Sequence, residues 1–226
     1  MKQLVAGMMI LLVSFQAPAG ERYPGPAPVI DLPEPQRTGS MSVEQALALR
    51  RSVRSYAPDP LTLEEIAQLL WAAQGVTALA RGFRTTPSAG ATFPLEVDLL
   101  VTGVDGLADG VYRYRVRDHA LERRIVGDRR RELYEAALRQ SSVRDAPVVM
   151  VISAVVSRTA RRYGQRAERY VHMEAGHAAQ NVYLQGASLH IGTVVIGAFR
   201  DGRVADVLRL PAQEQPLYLM PLGKAR

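Results

Sequence analysis

Five consecutive residues, Arg50-Arg51-Ser52-Val53-Arg54, place guanidinium groups on both sides of a hydroxyl. If the run closes a helix, Arg50 and Arg54 are four apart and point to one side, with Ser52 between them. Two arginine forks and a hydroxyl suit a phosphate monoester, because each fork gives two charge-assisted hydrogen bonds. Each such bond contributes roughly 1.5–3 kcal/mol. The run also reads as a solvated basic helix end, where arginine meets the C-terminal dipole favourably. A second stretch, Pro87-Ser88-Ala89-Gly90-Ala91-Thr92, is small enough to expose its backbone to the edge of a planar heterocycle, or to be a plain turn. In a third, Val194-Val195-Ile196-Gly197-Ala198-Phe199, a strand ends in two small residues. A backbone amide at Gly197 or Ala198 could donate to a ring nitrogen there, although strands commonly end this way.

Other chemistries are excluded by what the chain lacks. Its 226 residues contain no cysteine, so disulfides, thiolate metal sites and a cysteine nucleophile are out. The net charge is +6, and Lys2 and Lys224 are the only lysines among 28 basic residues, which rules out a mid-chain Schiff base. His172 and His177 lie five apart, whereas metal-binding pairs on a helix want three or four, so they read as packing or polar-network residues. No Gly-x-Gly-x-x-Gly, Walker loop or Gly-x-Ser-x-Gly elbow appears, against a Rossmann domain, a P-loop ATPase and an α/β-hydrolase. Arg129-Arg130-Arg131 and the series from Arg158 to Arg169 could serve an anionic surface. With aromatics at 6%, no stacking platform interleaves with them, so no nucleic-acid partner is expected.

The elements that must position these residues are legible from caps and periodicity. Ser42 with Gln45 and Thr62 with Glu65 form capping boxes, predicting a helix to about Arg51 and a second one stopped by Gly75. Phe83 to Thr92 reads as a loop. Leu95, Val97, Leu99 and Val101 alternate against Glu96 and Asp98, predicting a strand, and two runs joined at Asp118-His119 predict a hairpin. A helix from Asp128 to about Gln140 follows. Val148 to Val156 is an apolar run typical of a strand covered on both faces. A long helix from about Gln165 to Leu189 carries a small-residue stripe of Gly176, Ala179, Tyr183 and Gly186. A strand over 193–197, a helix over 201–208 and a strand over 217–222 complete a mixed α+β sandwich.

Ahead of this domain, which begins near Ser40, two segments stand apart. Residues 1–19 show a charged start, an apolar block from Leu4 to Phe15 and a small-residue exit, the parts of a secretory signal peptide. About twelve apolar residues are too few to span a bilayer, so no stable membrane insertion is expected after cleavage. The mature protein is then extracytoplasmic, periplasmic or secreted, and otherwise cytoplasmic. Residues 20–39 carry five prolines and read as a linker or an arm along a surface.

Taken in order, the motifs resemble the nitroreductase-like flavoproteins, most closely their SagB/ThcOx-type dehydrogenase branch. The resemblance rests on Leu32-Pro33-Glu34-Pro35, Arg50 to Arg54, Leu69 to Gly75 and Pro87 to Ala91. It continues through Gly110 to Tyr114, Glu174 to Asn181, Gly192 to Phe199 and Leu219 to Gly223, covering nearly the whole chain from Ile30 onward. It implies a mixed sheet covered by helices, an intertwined homodimer, and an FMN-dependent oxidoreductase working by a ping-pong cycle with NADH or NADPH as possible donor. It implies that Arg50, Ser52 and Arg54 hold the FMN phosphate, with Arg51 helping through its backbone. Ser88, Ala89, Gly90 and Ala91 would border the isoalloxazine ring from the second subunit. Gly197 or Ala198 would place an amide near flavin N5, and Lys224 and Arg226 would close over the phosphate. No side-chain acid or base is required, because the chemistry is carried by the flavin. Azoline-oxidising members carry a Lys-Tyr pair where Arg162-Tyr163 stands here, and arginine cannot act as their base. A catalytically silent FMN-binding or structural relative, or an arginine-rich module for anionic partners, is the alternative expectation.

Overall fold

The computed structural model describes residues 28–226, so the signal-like segment and the first residues of the proline-rich stretch lie outside it. The chain opens with β1 (Val29–Asp31), α1 (Val43–Leu49), α2 (Leu63–Gln74) and a small ribbon of β2 (Val76–Ala78) and β3 (Phe83–Arg84). The central strands follow: β4 (Leu95–Val101), β5 (Gly110–Arg115) and β6 (Ala120–Val126). Next come α3 (Arg130–Ala136), α4 (Ser141–Asp145), β7 (Val148–Ala154), α5 (Val156–Tyr163), α6 (Ala167–Ser188), β8 (Ile191–Thr193), α7 (Asp201–Leu208) and β9 (Gln215–Lys224).

Seven strands form one sheet in the order β1-β6-β5-β4-β7-β9-β8, and every ladder between them is antiparallel. Two isolated parallel bridges flank it among the described residues, Leu61 with Val104 and, at the β8 edge, Ser52 with Thr193. Side chains alternate across a strand, so each central strand feeds two cores. Val97, Leu99, Met150 and Ile152 pack with Leu69 and Leu70 of α2 and Ala175 and Val182 of α6. Leu100, Val149 and Val151 pack on the other side with Leu133 of α3, Val143 of α4 and Leu208 of α7. The α+β reading therefore holds, as a sheet between two helical layers. Among the described residues no helix is long and apolar enough to cross a membrane.

Both capping boxes form as the sequence predicts, and Gly75 caps α2. Residues 28–36 run along the sheet: β1 pairs with β6, and the His119 imidazole sits 2.9 Å from the Pro33 carbonyl. Four expectations need correction. The helix over 128–140 is two helices, because Leu138 and Arg139 adopt left-handed backbone (φ 55° and 58°) that no helix continues through. The strand beginning at Val148 stops at Ala154, since Val156 starts α5, a helix hidden in what reads as an arginine series. The loop over 83–92 contains β3 and a 3-10 turn at Ala89–Ala91. The strand over 193–197 ends at Thr193, whose carbonyl accepts from Val53, and only Ile196 pairs again, with Leu219.

Candidate active site

The arginine segment is positioned by the end of α1. Arg50 leaves the helix at φ −50°, ψ 125°, so residues 50–54 are extended and the four-residue helical spacing gives way to a period of two. Arg50 and Ser52 accordingly meet the same ring: the Arg50 guanidinium lies 5.1 Å from the centre of Tyr183, and Ser52 Oγ lies 3.1 Å from its hydroxyl. The Val195 amide donates to that hydroxyl at 2.8 Å. Val53, on the opposite side, packs onto Gly192, and Tyr56 onto Gly223; the two glycines are register partners on β8 and β9. A Cβ at Gly192 would fall 2.5 Å from Val53 Cγ1, and one at Gly223 would fall 2.7 Å from Tyr56 Cγ. The arginine strip is thus docked on the sheet because two facing residues have no side chain. Gly192→Val should cost roughly 1–3 kcal/mol by overpacking. Urea denaturation would show it, and an unchanged midpoint would mean the strip is not held this way.

Beneath the strip lies a cavity of about 350 Å³, with Arg50, Arg51, His190, Thr193 and Ala225 in its wall. Thr193 Oγ1 is buried there without a hydrogen-bond partner among the described residues. Arg51 turns its Nη1 back to the carbonyls of Ala48 and Arg50, both at 2.8 Å, which ties part of its guanidinium to the end of α1. Arg54 is exposed on the same strip. The C-terminal cations are engaged elsewhere: Lys224 ion-pairs with Glu65, and Arg226 Nε donates to the Tyr56 carbonyl at 2.8 Å. Ala225 between them is the C-terminal residue that lines the cavity.

The Ser88–Ala91 turn stands on a different surface. Gly90 (φ 57°) and Ala91 (φ 52°) are left-handed, and Ser88 Oγ accepts from the Phe93 amide at 2.9 Å. The end of α5 covers the turn. A Cβ at Gly90 would meet Tyr163 Oη at 2.7 Å and Arg162 Cδ at 2.8 Å, and Arg162 donates to the Gly90 carbonyl. Behind it Glu174 is 2% exposed, with Oε1 unpartnered among the described residues. Burial pushes the Glu174 carboxyl up to about 7, against the pull of the Ser88 hydroxyl, the Ala89 amide and the Arg84 charge. Gly197 and Ala198 are exposed after the Ile196 bridge; Gln140 donates to the Ala198 carbonyl at 2.8 Å. Gly197 borders a separate hollow of about 320 Å³ together with His172 and Tyr218.

One chain therefore joins Arg50, Ser52 and Thr193 but leaves the Ser88–Ala91 turn and Gly197 on other surfaces. His172 and His177, expected as packing or polar-network residues, are exposed on α6 and do not pack within the chain; Asn181 on the same helix ties it to Thr86 Oγ1 at 3.0 Å. Of the small-residue stripe, Gly186 and Ala179 are buried within the chain and Gly176 faces open space. Tyr183, Thr193 and Glu174 are the site residues that sequence reasoning missed as such.

The Nitroreductase family profile matches residues 47–224, spanning the arginine strip, the small-residue turn and the β9 end. The chain belongs to the nitroreductase family. It is 48% identical over 184 residues to a candidate nitroreductase of Methanocaldococcus jannaschii, covering 81% of this chain and 91% of that one. A crystal structure of a candidate nitroreductase from Ralstonia eutropha superposes with a TM-score of 0.77 at 32% identity, over 93% of this chain and 98% of that one. A chain of the E. coli microcin synthetase complex shares the fold, with a TM-score of 0.71 at 20% identity over 96% and 85% of the two chains. As a nitroreductase-family member the protein is an oxidoreductase. The family's flavin phosphate fits what this region offers: Arg50 in the cavity wall, Arg54 exposed on the same strip, and the buried Thr193 hydroxyl, which has no partner among the described residues.

Proposed function

We propose that the protein is an FMN-dependent oxidoreductase of the SagB/ThcOx-type dehydrogenase branch, active as an intertwined homodimer. The observation that supports this best is the arginine strip clamped on Gly192 and Gly223, beside the unpartnered Thr193 hydroxyl. Arg50, Ser52 and Arg54 would hold the phosphate, with the Arg51 backbone amide beside them. Tyr183 fixes Ser52 and the Val195 amide in one place, so it acts as a positioning residue for the strip. The Ser88–Ala91 turn would close the ring edge from the second copy, which accounts for its distance from the strip's cavity in one chain. FMN, when bound, would supply two-electron hydride chemistry at N5, suited to a ping-pong cycle between two substrates. Gly197 or Ala198 would offer a backbone amide to that atom, and Gln140 already fixes the Ala198 peptide. NADH or NADPH is the proposed donor. Arg162 stands beside Gly90, and a guanidinium is no general base, so azoline oxidation would lack its base there.

The visible spectrum of the purified protein tests this. Flavin bands that bleach with NADH or NADPH are expected. Persistent bands would move the donor to another substrate, and a colourless protein that refuses added FMN would sink the reading. Changing Arg50 and Arg54 together to Gln removes two charge-assisted partners and should weaken FMN binding at least about a hundredfold. A flavin titration that gave equal affinities would place the phosphate elsewhere.

A further inference from the structure

A second cavity, of about 460 Å³, opens at the end of the sheet where β4 begins and β5 and β7 end. Its wall carries six arginines, Arg84, Arg113, Arg115, Arg117, Arg124 and Arg158, against three carboxylates, those of Glu96, Asp118 and Glu214. Three of the arginines are already matched. Arg113 binds Glu214 at 2.6 Å and Glu96 at 3.2 Å, Arg158 binds Glu96 at 2.5 Å, and Arg115 binds Asp118 at 2.5 Å. The other three form no ion pair with the described residues, although the charges of Glu96 and Glu174 reach Arg84. Arg84 donates to the neutral Gln74 amide at 2.9 Å and stacks 4.2 Å from the centre of Phe93. Arg117 and Arg124 make no hydrogen bond or ion pair with the described residues.

Arg124 is aimed by the backbone. The β5–β6 register pairs Val111 with Ile125 and Tyr112 with Arg123, so Arg124 is the extra residue of a β-bulge, opposite nothing on β5. A bulge redirects a side chain at a local cost in pairing, and is treated as a built feature. Burial also loosens the Arg84 proton, the sign of a cation whose charge its surroundings do not fully compensate. Below the surface, Arg113 is fixed by Asp98 at 2.7 Å, so the floor is rigid.

We propose that this cavity is an anion-binding site, distinct from the Arg50–Arg54 strip, for a small molecule carrying two or three negatively charged oxygen groups. Charge sets the number: the wall is three guanidinium groups in excess, or two once the buried Asp98 beneath Arg113 is counted, which one carboxylate would leave partly uncompensated and a di- or trianion matches. Geometry sets the chemistry, since the planar fork pairs with phosphate or carboxylate oxygens two at a time. The volume suits a molecule of that size. The assignment does not depend on the flavin reading.

Calorimetric titration of the purified protein, saturated with FMN, tests it with pyrophosphate, citrate and chloride at one ionic strength. Pyrophosphate or citrate should bind saturably, and whichever binds more tightly names phosphate or carboxylate as the ligand group. Changing Arg117 and Arg124 together to Gln should weaken that binding at least tenfold while FMN affinity stays within twofold. If the double variant does not fold, the exposed Arg117→Gln alone should weaken it at least threefold. Absence of saturable binding, an equal response to chloride, or binding indifferent to these changes would overturn the proposal.

Discussion

Arg113→Met is expected to lower the free energy of unfolding by about 3–5 kcal/mol at neutral pH, the usual cost of removing one partner from a buried charge network. Arg113 is 7% exposed and joins three acids, Glu96 and Asp98 of β4 and Glu214 just before β9. Its Nε and Nη2 grip Asp98 at 2.7 and 2.8 Å, and Glu214 is held at 2.6 and 3.1 Å. Ser153 donates to the same Glu214 carboxylate at 2.5 Å. Methionine fills comparable space and leaves Asp98 wholly buried with no cation on it. Burial already lifts Asp98 to about 6 in the intact network, with Arg113 pulling the other way. Without that pull the value climbs further. The acid then keeps its neutral form in the fold to a higher pH, so the variant's deficit grows as pH rises above 6 and levels off below it, where both folded proteins hold Asp98 protonated. Urea denaturation of both proteins at pH 5 and pH 8 measures this. A loss under about 1 kcal/mol at pH 8 would mean that water or another group takes over from Arg113.

Glu174→Gln should act in the opposite direction. The carboxyl is lifted from 4.5 to about 7, mainly by burial. A folded value above the unfolded one means stability that is full below about 4.5 and lost as pH rises through about 7. The size of the lift corresponds to about 3 kcal/mol between those limits. Glutamine keeps the shape and an acceptor for Ser88 and Ala89, and never carries the charge. The stability of the variant relative to the parent should therefore rise by about 3 kcal/mol between pH 4.5 and pH 8. Asp98 titrates in both proteins and cancels in the difference. Thermal unfolding across that range gives the curve. A flat difference would show Glu174 to be charged at no cost, with solvent reaching it.

What the sequence determined by itself is what depends on neighbours in the chain. The two capping boxes need residues three apart, and both formed where Ser42 and Thr62 stand. The period of two in Leu95–Val101 and the hairpin around Asp118-His119 survive because alternation and turn chemistry are local properties. The order of small motifs along the chain was enough to give the family. Tertiary structure decided everything that requires a partner far away in sequence. Asp98 looks like the solvent face of a strand, yet it is wholly buried, because β4 lies between β5 and β7 and both faces of the sheet are covered. Arg113 could not be matched with residues 98 and 214 until three separate segments met. The break between α3 and α4 and the early end of β8 likewise answer to contacts made by Arg200 and Val53. Tyr183 looked like one of a row of helix residues until folding set its hydroxyl against Ser52 and Val195. Local signals fix an element because its own backbone bonds reward it. A buried charge or a docked strip is fixed only by what lies across from it, and that is a property of the closed chain.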